Sequence, residues 1–431
     1  MESKPYPQPA AGFESHTPFW RTSPHKLDTH RSTPDLPSEC DILIIGGGYS
    51  GASVAYHIFQ GNETPPNTVM LEARQLCSGA TGRNAGHLRP EMYGHASKFI
   101  SRHGVEAAAE IVKYEISHLQ ILADVIEREK IDCDFTLTRS LDIYFDQDVM
   151  DKVRRGVEPL ISDSYQQGKY AFMKDAEIRF PTAEQPLSED DLKETKVKGA
   201  KGPSRDAEGF WKITTGNNRG TIRAKKLILA SNAYTSALAP EYAKAIIPCK
   251  GLCCHIVVPP AADGKKRPPP LENTYVTRHG SGAGGYLIPR PDRSMIVGGA
   301  SHTFTPLLEQ WHNNPDDGVL INIAKEYFDG YMQQTFIGWE DSGAYSKEVW
   351  TGVMGYSADS LPHIGKVPSK HGQLILAGFN GHGMPVCFLA GKAVAAMALD
   401  DSIAFEDTGL PRVYKTTVNR LQPKYNDTLQ P

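Results

Sequence analysis

Short β-branched runs alternate along the chain with stretches of helical spacing. Cys40-Asp41-Ile42-Leu43-Ile44-Ile45 is apolar at nearly every position, as in a parallel strand buried on both faces. It runs into Gly46-Gly47-Gly48-Tyr49-Ser50-Gly51 and then into Ala52-Ser53-Val54-Ala55-Tyr56-His57-Ile58, small and apolar at helical spacing. A polar turn at 62–67 leads to a second strand, Thr68-Val69-Met70-Leu71-Glu72, which completes a βαβ unit. The spacing of Ile111, Ile116, Leu119, Leu122 and Ile126 predicts one helix over 97–130. A strand follows at 141–145. Residues 184–207 are polar and without period. A hairpin is predicted from 211–215 and 220–224, then a separate buried strand at 225–230. Alternating stretches recur at 254–258, 285–289 and 295–298. The last strand, 374–378, precedes a glycine-rich turn and a helix starting near Met384. Residues 1–36, rich in Pro, Ser, Thr and His, read as an irregular arm.

The glycine pattern carries the first chemistry. In Gly46-x-Gly48-x-x-Gly51 the first glycine permits a tight turn and the second admits a pyrophosphate close to the backbone. The third lets helix and strand pack, and the helix start offers amide donors, with Tyr49 and Ser50 among the candidate contacts. Glu72, at the end of the second strand, is placed to accept from ribose hydroxyls. An acid there disfavours a 2′-phosphate but does not separate NAD from FAD.

Composition narrows the partners. With 46 basic and 50 acidic residues the net charge is -4, which gives no reason to expect nucleic acid or an anionic membrane. The basic run Lys265-Lys266-Arg267, beside three prolines, reads as a solvated loop. Seven cysteines follow no disulfide or zinc framework, and no metal site is expected. No secretory signal opens the chain, and the most apolar run, 386–399, is interrupted by Lys392. An intracellular, cytoplasmic protein is expected.

The stretch after Glu72 points to FAD. Ala73-Arg74-Gln75-Leu76-Cys77-Ser78-Gly79-Ala80-Thr81-Gly82-Arg83-Asn84-Ala85-Gly86-His87 resembles the second flavin-contacting loop of the D-amino-acid oxidase-type family of FAD-dependent oxidoreductases, the family of glycine, sarcosine and gamma-glutamylputrescine oxidases. Its small residues are expected to let backbone approach the flavin. Three further segments are similar to the family's: 226–235 with Ala230 and Asn232; 285–292 with 296–299; and 350–365 followed by Ala377-Gly378-Phe379-Asn380-Gly381-His382-Gly383-Met384. The matches cover about 38–400 in the family's order.

The resemblance implies an α/β fold, a Rossmann-like FAD-binding domain of the glutathione-reductase type with a second, mixed-sheet α+β substrate domain. The FAD domain would take 37–95, 208–250 and 345–400. The substrate domain would take 96–207 and 251–344, with a tail at 401–431. It also implies oxidation of a C–N bond in a small amine or amino acid, by hydride transfer to flavin N5, with dioxygen or another acceptor closing the cycle. Catalytic candidates are Arg290, as a carboxylate clamp, Tyr286 and His382. Arg83 and His87 are expected near the cofactor, and amides after Gly378 near the flavin N1 side. Relatives that tether FAD use positions held here by Gly352 and Asn84, so the cofactor is expected to be non-covalent. Two rival readings remain at this point. One is an NAD-dependent dehydrogenase. The other is a catalytically impaired or non-enzymatic relative, because the middle of the FAD domain looks short.

Overall fold

The computed structural model describes residues 17–33, 35–161, 202–215, 219–260, 267–279 and 283–429. Most of the polar 184–207 stretch, including the segment expected to be shortened, lies outside the described residues, as do Lys265 and Lys266. In chain order the strands are β1 (Glu39–Ile45), β2 (Thr68–Leu71), β3 (Ser140–Tyr144), β4 (Ser204–Arg205), β5 (Trp211–Thr214), β6 (Thr221–Leu229) and β7 (Ile246–Val257). They continue as β8 (Thr274–His279), β9 (Ala283–Pro289), β10 (Met295–Gly299), β11 (Tyr345–Ser357), β12 (His363–Lys366) and β13 (Gln373–Ala377). The longer helices are α1 (Tyr49–Phe59), α2 (Ala96–His103), α3 (Val105–Glu129), α4 (Gln147–Ile161) and α5 (Cys387–Leu399).

The strands form two sheets. The first has the order β12-β13-β6-β1-β2, with β5 and β4 attached to β6. Strand β6 is one element where a hairpin arm and a separate strand were expected. Its start pairs with β5 and its end with β13, both on one edge, while β1 runs parallel along the other. Alternation in β1 sorts the core. Ile42 and Ile44 pack with Val54, Ile58, Ala390 and Val394 under α1 and α5, whereas Leu43 joins Leu227, Leu229 and Ile375 on the other face. Helices α1 and α5 touch closely: a Cβ added at Gly391 would lie 2.5 Å from Ser53 Cβ.

The second sheet has the order β11-β7-β10-β9-β8-β3. Its alternation is equally clear. Leu252, Cys254, Ile256, Leu287, Met295, Val297 and Val349 face a core closed by the helical segments of 301–336. The intervening Cys253, Tyr286, Ile288, Ile296 and Trp350 face the other way. Strand β11 lies at the edge of this sheet, beside β7.

Two further expectations are corrected. The helix over 97–130 is two helices, α2 and α3, broken at Gly104, whose φ of 84° only glycine adopts at little cost. The arm is not irregular throughout: Phe19–Arg21 forms a 3₁₀ turn with Phe19 and Arg21 buried.

Candidate functional site

A cavity of about 310 Å³ lies between the carboxyl ends of β1, β2 and β6 and the inward face of the second sheet. Ile45, Leu71 and Ala230 line one side, and Leu252, Cys253, Tyr286, Gly352, Val353 and Met354 the other.

The three glycines are each tied to a close neighbour. A Cβ at Gly46, whose φ is 116°, would run into the carbonyl oxygen of Ala230. One at Gly48 would lie 2.9 Å from Thr81 Oγ1, and one at Gly51 would strike the carbonyl oxygen of Gly46. Gly46 and Gly51 are thus packed against backbone and Gly48 against the Thr81 side chain. At its exit the Tyr49 N–H donates to Thr81 Oγ1 at 2.9 Å. Glu72 lines the cavity and holds the turn itself, its carboxylate accepting from the Gly47 N–H at 2.7 Å and the Arg74 N–H at 3.0 Å. Ser50 donates to Cys387 Sγ at 3.3 Å and so ties α1 to α5.

The loop after Glu72 forms one wall, with Ala73, Arg74, Ser78, Arg83 and Asn84 lining the cavity. Both arginines are committed within the protein. Arg74 forms a two-pronged pair with Asp317, 2.9 Å at each contact. Arg83 donates to the carbonyls of Ser78 at 3.1 Å and Thr351 at 2.8 Å, and lies 3.2 Å from the Asp317 carboxylate. Asn84 closes its own turn, donating to Thr81 O at 2.5 Å and accepting from the Gly86 N–H at 2.6 Å. Ser78 Oγ is buried on this wall and has no hydrogen-bond partner among the described residues.

Several members of the loop face away from the cavity. Ala85 packs with Phe19 and Trp350. Gly82 and Gly86 are small for a different reason from the one expected. A Cβ on Gly82 would strike the carbonyl oxygen of Cys77 within the loop itself, with Arg21 Cδ next at 3.2 Å, whereas one on Gly86 would lie 2.6 Å from the Trp20 ring, so it is Gly86 that presses on the N-terminal segment. His87 hydrogen bonds with Thr274 Oγ1 at 2.9 Å, and burial pushes its pKa down to about 3.

At the other end, Asn232 Oδ1 accepts from the Gly378 N–H at 3.0 Å, fastening the end of β6 to the glycine turn. Asn380 accepts from the Ser357 N–H at 2.7 Å, and its φ is 55°. Gly378 and Asn380 therefore shape the turn, while Gly381, Gly383 and Met384 line the cavity. Helix α5 starts at Cys387 rather than near Met384, and the Val386 and Cys387 N–H groups already bond Gly383 O.

The three catalytic candidates separate. Tyr286 lines the cavity, with its hydroxyl 3.6 Å from Cys253 Sγ. His382 stands between two lining glycines but does not itself line the cavity; its Nε2 meets Glu115 Oε2 at 2.7 Å. Its desolvation is outweighed by the Glu115 carboxylate, so its pKa is raised although its side chain is 34% exposed. Arg290 is not in this cavity. It pairs with Asp134 at 3.0 Å and lies over the rings of Phe19 and Trp20. A carboxylate clamp at Arg290 is therefore not what the structure builds.

Three thiols line the cavity. Burial raises the pKa of Cys77, and pushes Cys253 and Cys387 up to about 12, which keeps them protonated and weakly nucleophilic. No cluster of three or more metal-ligating side chains occurs among the described residues. No helix among them is long and apolar enough to cross a membrane.

The residues present fit a dinucleotide. The backbone of Gly46 and Gly48 lines the cavity with no side chain over it at the start of α1, and the facing wall holds a buried Ser78 hydroxyl with no partner among the described residues. The fold and this cleft define a dinucleotide-dependent oxidoreductase. The model of the family described as FAD dependent oxidoreductase matches residues 41–188 and 191–397, and the chain belongs to that family. The cofactor of that family is FAD. The chain is 22% identical over 394 residues to gamma-glutamylputrescine oxidoreductase of Escherichia coli (strain K12), covering 85% of each chain. Its fold is similar to that of glycine oxidase from Geobacillus kaustophilus, with a TM-score of 0.58 at 16% identity, over 87% of this chain and 99% of that one. L-proline dehydrogenase from P. horikoshii gives 0.59 at 17% identity, over 86% and 96%.

The reading from sequence missed Thr81, Asp317, Glu115 and the Phe19–Arg21 turn. Aromatic residues in a polar arm were the available signal for the last. Nothing local marks Asp317 or Glu115, whose partners are distant in sequence.

Proposed function

We propose that the protein oxidises the C–N bond of a small amine or amino acid to an imine, which water then hydrolyses. The observation that carries this reading is the single cleft running from the glycine turn to Cys253, Tyr286 and Gly352 on the second sheet. The names of the relatives, an oxidoreductase of gamma-glutamylputrescine and an oxidase of glycine, support that substrate class.

When bound, FAD supplies the acceptor for the two electrons leaving the carbon. Gly46 and Gly48 would admit its pyrophosphate at the start of α1, which Gly51 holds close against β1; Glu72 would lie toward the ribose, and Ser78 Oγ would offer a donor. Ala230, Asn232, Gly381, Gly383 and Met384 shape the far end. There Leu252, Cys253, Val353 and Met354 exclude water, and Tyr286 orients the substrate from β9. No protein base need lie in the cavity, because an unprotonated amine releases hydride without one.

The test is spectroscopic and then catalytic. Purified protein is expected to show flavin absorption, or to gain it with added FAD, and to reduce dioxygen or a dye with some member of a panel of amines and amino acids. A flavin-loaded protein that turns over none of the panel with either acceptor would overturn the reading.

A further inference from the structure

The N-terminal segment before β1 does more than precede the FAD fold. It lies against the back of the loop whose front lines the cavity. Trp20 Nε1 donates to the Asn84 carbonyl at 2.7 Å. Buried Arg21 donates to the Leu76 carbonyl at 2.8 Å and to Gln75 Oε1 at 3.0 Å, and pairs with Asp28 at 2.6 Å. The Leu76 N–H returns a bond to the Asp28 carbonyl at 3.2 Å. Gly86 is the point where this segment presses closest, under the Trp20 ring.

The same segment grips the second sheet. Phe19 is buried among Ala85, Cys253, Ile296 and Trp350. Arg290 stacks over Phe19 and Trp20, 4.7 Å and 5.3 Å from the ring centres. Trp350 in turn donates to the Arg83 carbonyl at 3.0 Å. The wall formed by 75–86 is therefore held between the cavity on one side and the segment with Trp350 on the other.

We propose that residues 17–28 are a clamp that sets how tightly the protein retains FAD, with Trp20 and Arg21 as positioning residues that act through the loop. Neither residue lines the cavity. The physical reason is preorganisation. A loop already fixed in its binding geometry loses less conformational freedom when the cofactor arrives. Backbone of 75–86 left without these anchors would have to be ordered at the expense of affinity. The inference rests on FAD as cofactor.

The test uses full-length protein. Trp20→Ala, Trp20→Phe and Arg21→Ala are stripped of flavin and titrated with FAD by quenching of its fluorescence, and each apoprotein's melting temperature is recorded. Phe304→Leu, on the far face of the second sheet, is the packing control. Trp20→Ala and Arg21→Ala are expected to raise the FAD dissociation constant about tenfold or more, beyond any change in the control. Trp20→Phe keeps an aromatic ring but loses the indole donor to Asn84 and part of the bulk against Gly86, so a rise of about threefold to tenfold is expected with a smaller loss of melting temperature than in Trp20→Ala. Affinity within about twofold of wild type in these variants, or weakened only as far as the control at equal loss of melting temperature, would overturn the clamp. A wild-type protein that binds no FAD would instead strike the cofactor assignment beneath it.

Discussion

The carboxylate of Asp317 receives both terminal nitrogens of Arg74 at 2.9 Å, joining the cofactor loop to a turn 243 residues later in the chain. Arg83 meets the same carboxylate at 3.2 Å, and all three side chains are almost fully buried. One acid thus pairs with two buried guanidinium groups and locks the loop onto the segment preceding the last strand of the second sheet. Replacing Asp317 with Ala would leave two cations in a site that cannot hydrate them. The expected cost is about 3–5 kcal/mol. Urea unfolding of the apoprotein reads it, and a loss below about 1 kcal/mol would show that the pair is dispensable.

Gly51 has the least room of the three turn glycines. Its missing Cβ faces the Gly46 carbonyl and, at 3.3 Å, Ile44 Cγ2, both of them parts of the fixed strand exit. Gly51→Ala must therefore push α1 away from β1, moving the helix start that lines the cavity at Tyr49 and Ser50. Overpacking of this kind costs about 1–3 kcal/mol. FAD affinity is expected to fall at least about tenfold. Retained wild-type affinity would mean that the helix shifts freely.

Most of this first sheet was legible from sequence because its signals are local. The run from Cys40 to Ile45, the glycines and the strand ending at Glu72 are contiguous, and burial on both faces makes each strand continuously apolar. The cleft walls were legible where they are also contiguous, as at Ala73–Asn84. What escaped were roles decided by long-range contact. Arg290 looked like a substrate clamp because its strand points toward the cavity through Tyr286. Four residues later in the chain, the side chain emerges where Asp134, Phe19 and Trp20 capture it. Gly82 and Gly86 looked like flavin contacts because the loop as a whole faces the cofactor, but a loop has two sides. Gly104 escaped because helical spacing continues across a break that changes direction without changing period.

The Arg290 assignment has a kinetic consequence. Arg290→Ala removes a stacking contact worth about 1 kcal/mol and an ion pair to a half-exposed acid. It removes nothing from the cavity. KM for any substrate that the protein oxidises is expected to stay within about twofold, with any effect appearing in flavin retention. A tenfold rise in KM for amino acids alone, with amines unaffected, would restore the carboxylate clamp.

His382 gives a pH signature. Glu115, helped by Glu91 and opposed by Arg89 and by desolvation, raises its pKa in the folded protein above the ordinary histidine value. The folded state then binds a proton more tightly than the unfolded chain does. The contribution to stability is complete below about pH 6.5, the unfolded value, and is lost as pH rises through the higher folded value. The gap in unfolding free energy between wild type and His382→Gln should therefore be widest at acid pH and narrow toward alkaline pH. A gap that widens with rising pH would mean that Glu115 does not hold an imidazolium there.

The manner of cofactor attachment follows from the same cavity. The positions that would carry a tether are Gly352, which has no side chain, and Asn84, whose amide is spent on its own turn at 2.5 Å to Thr81 O. Three thiols line the cleft, and burial holds all of them protonated at neutral pH. A protonated thiol is a poor nucleophile toward the flavin ring, so proximity alone does not form a bond. Acid precipitation of the holoprotein should release the flavin colour into the supernatant, and the mass of the washed pellet should equal that of the polypeptide alone. Flavin absorbance retained in the pellet would mean a covalent tether, and single replacements at Cys77, Cys253 and Cys387 would show whether one of these thiols forms it.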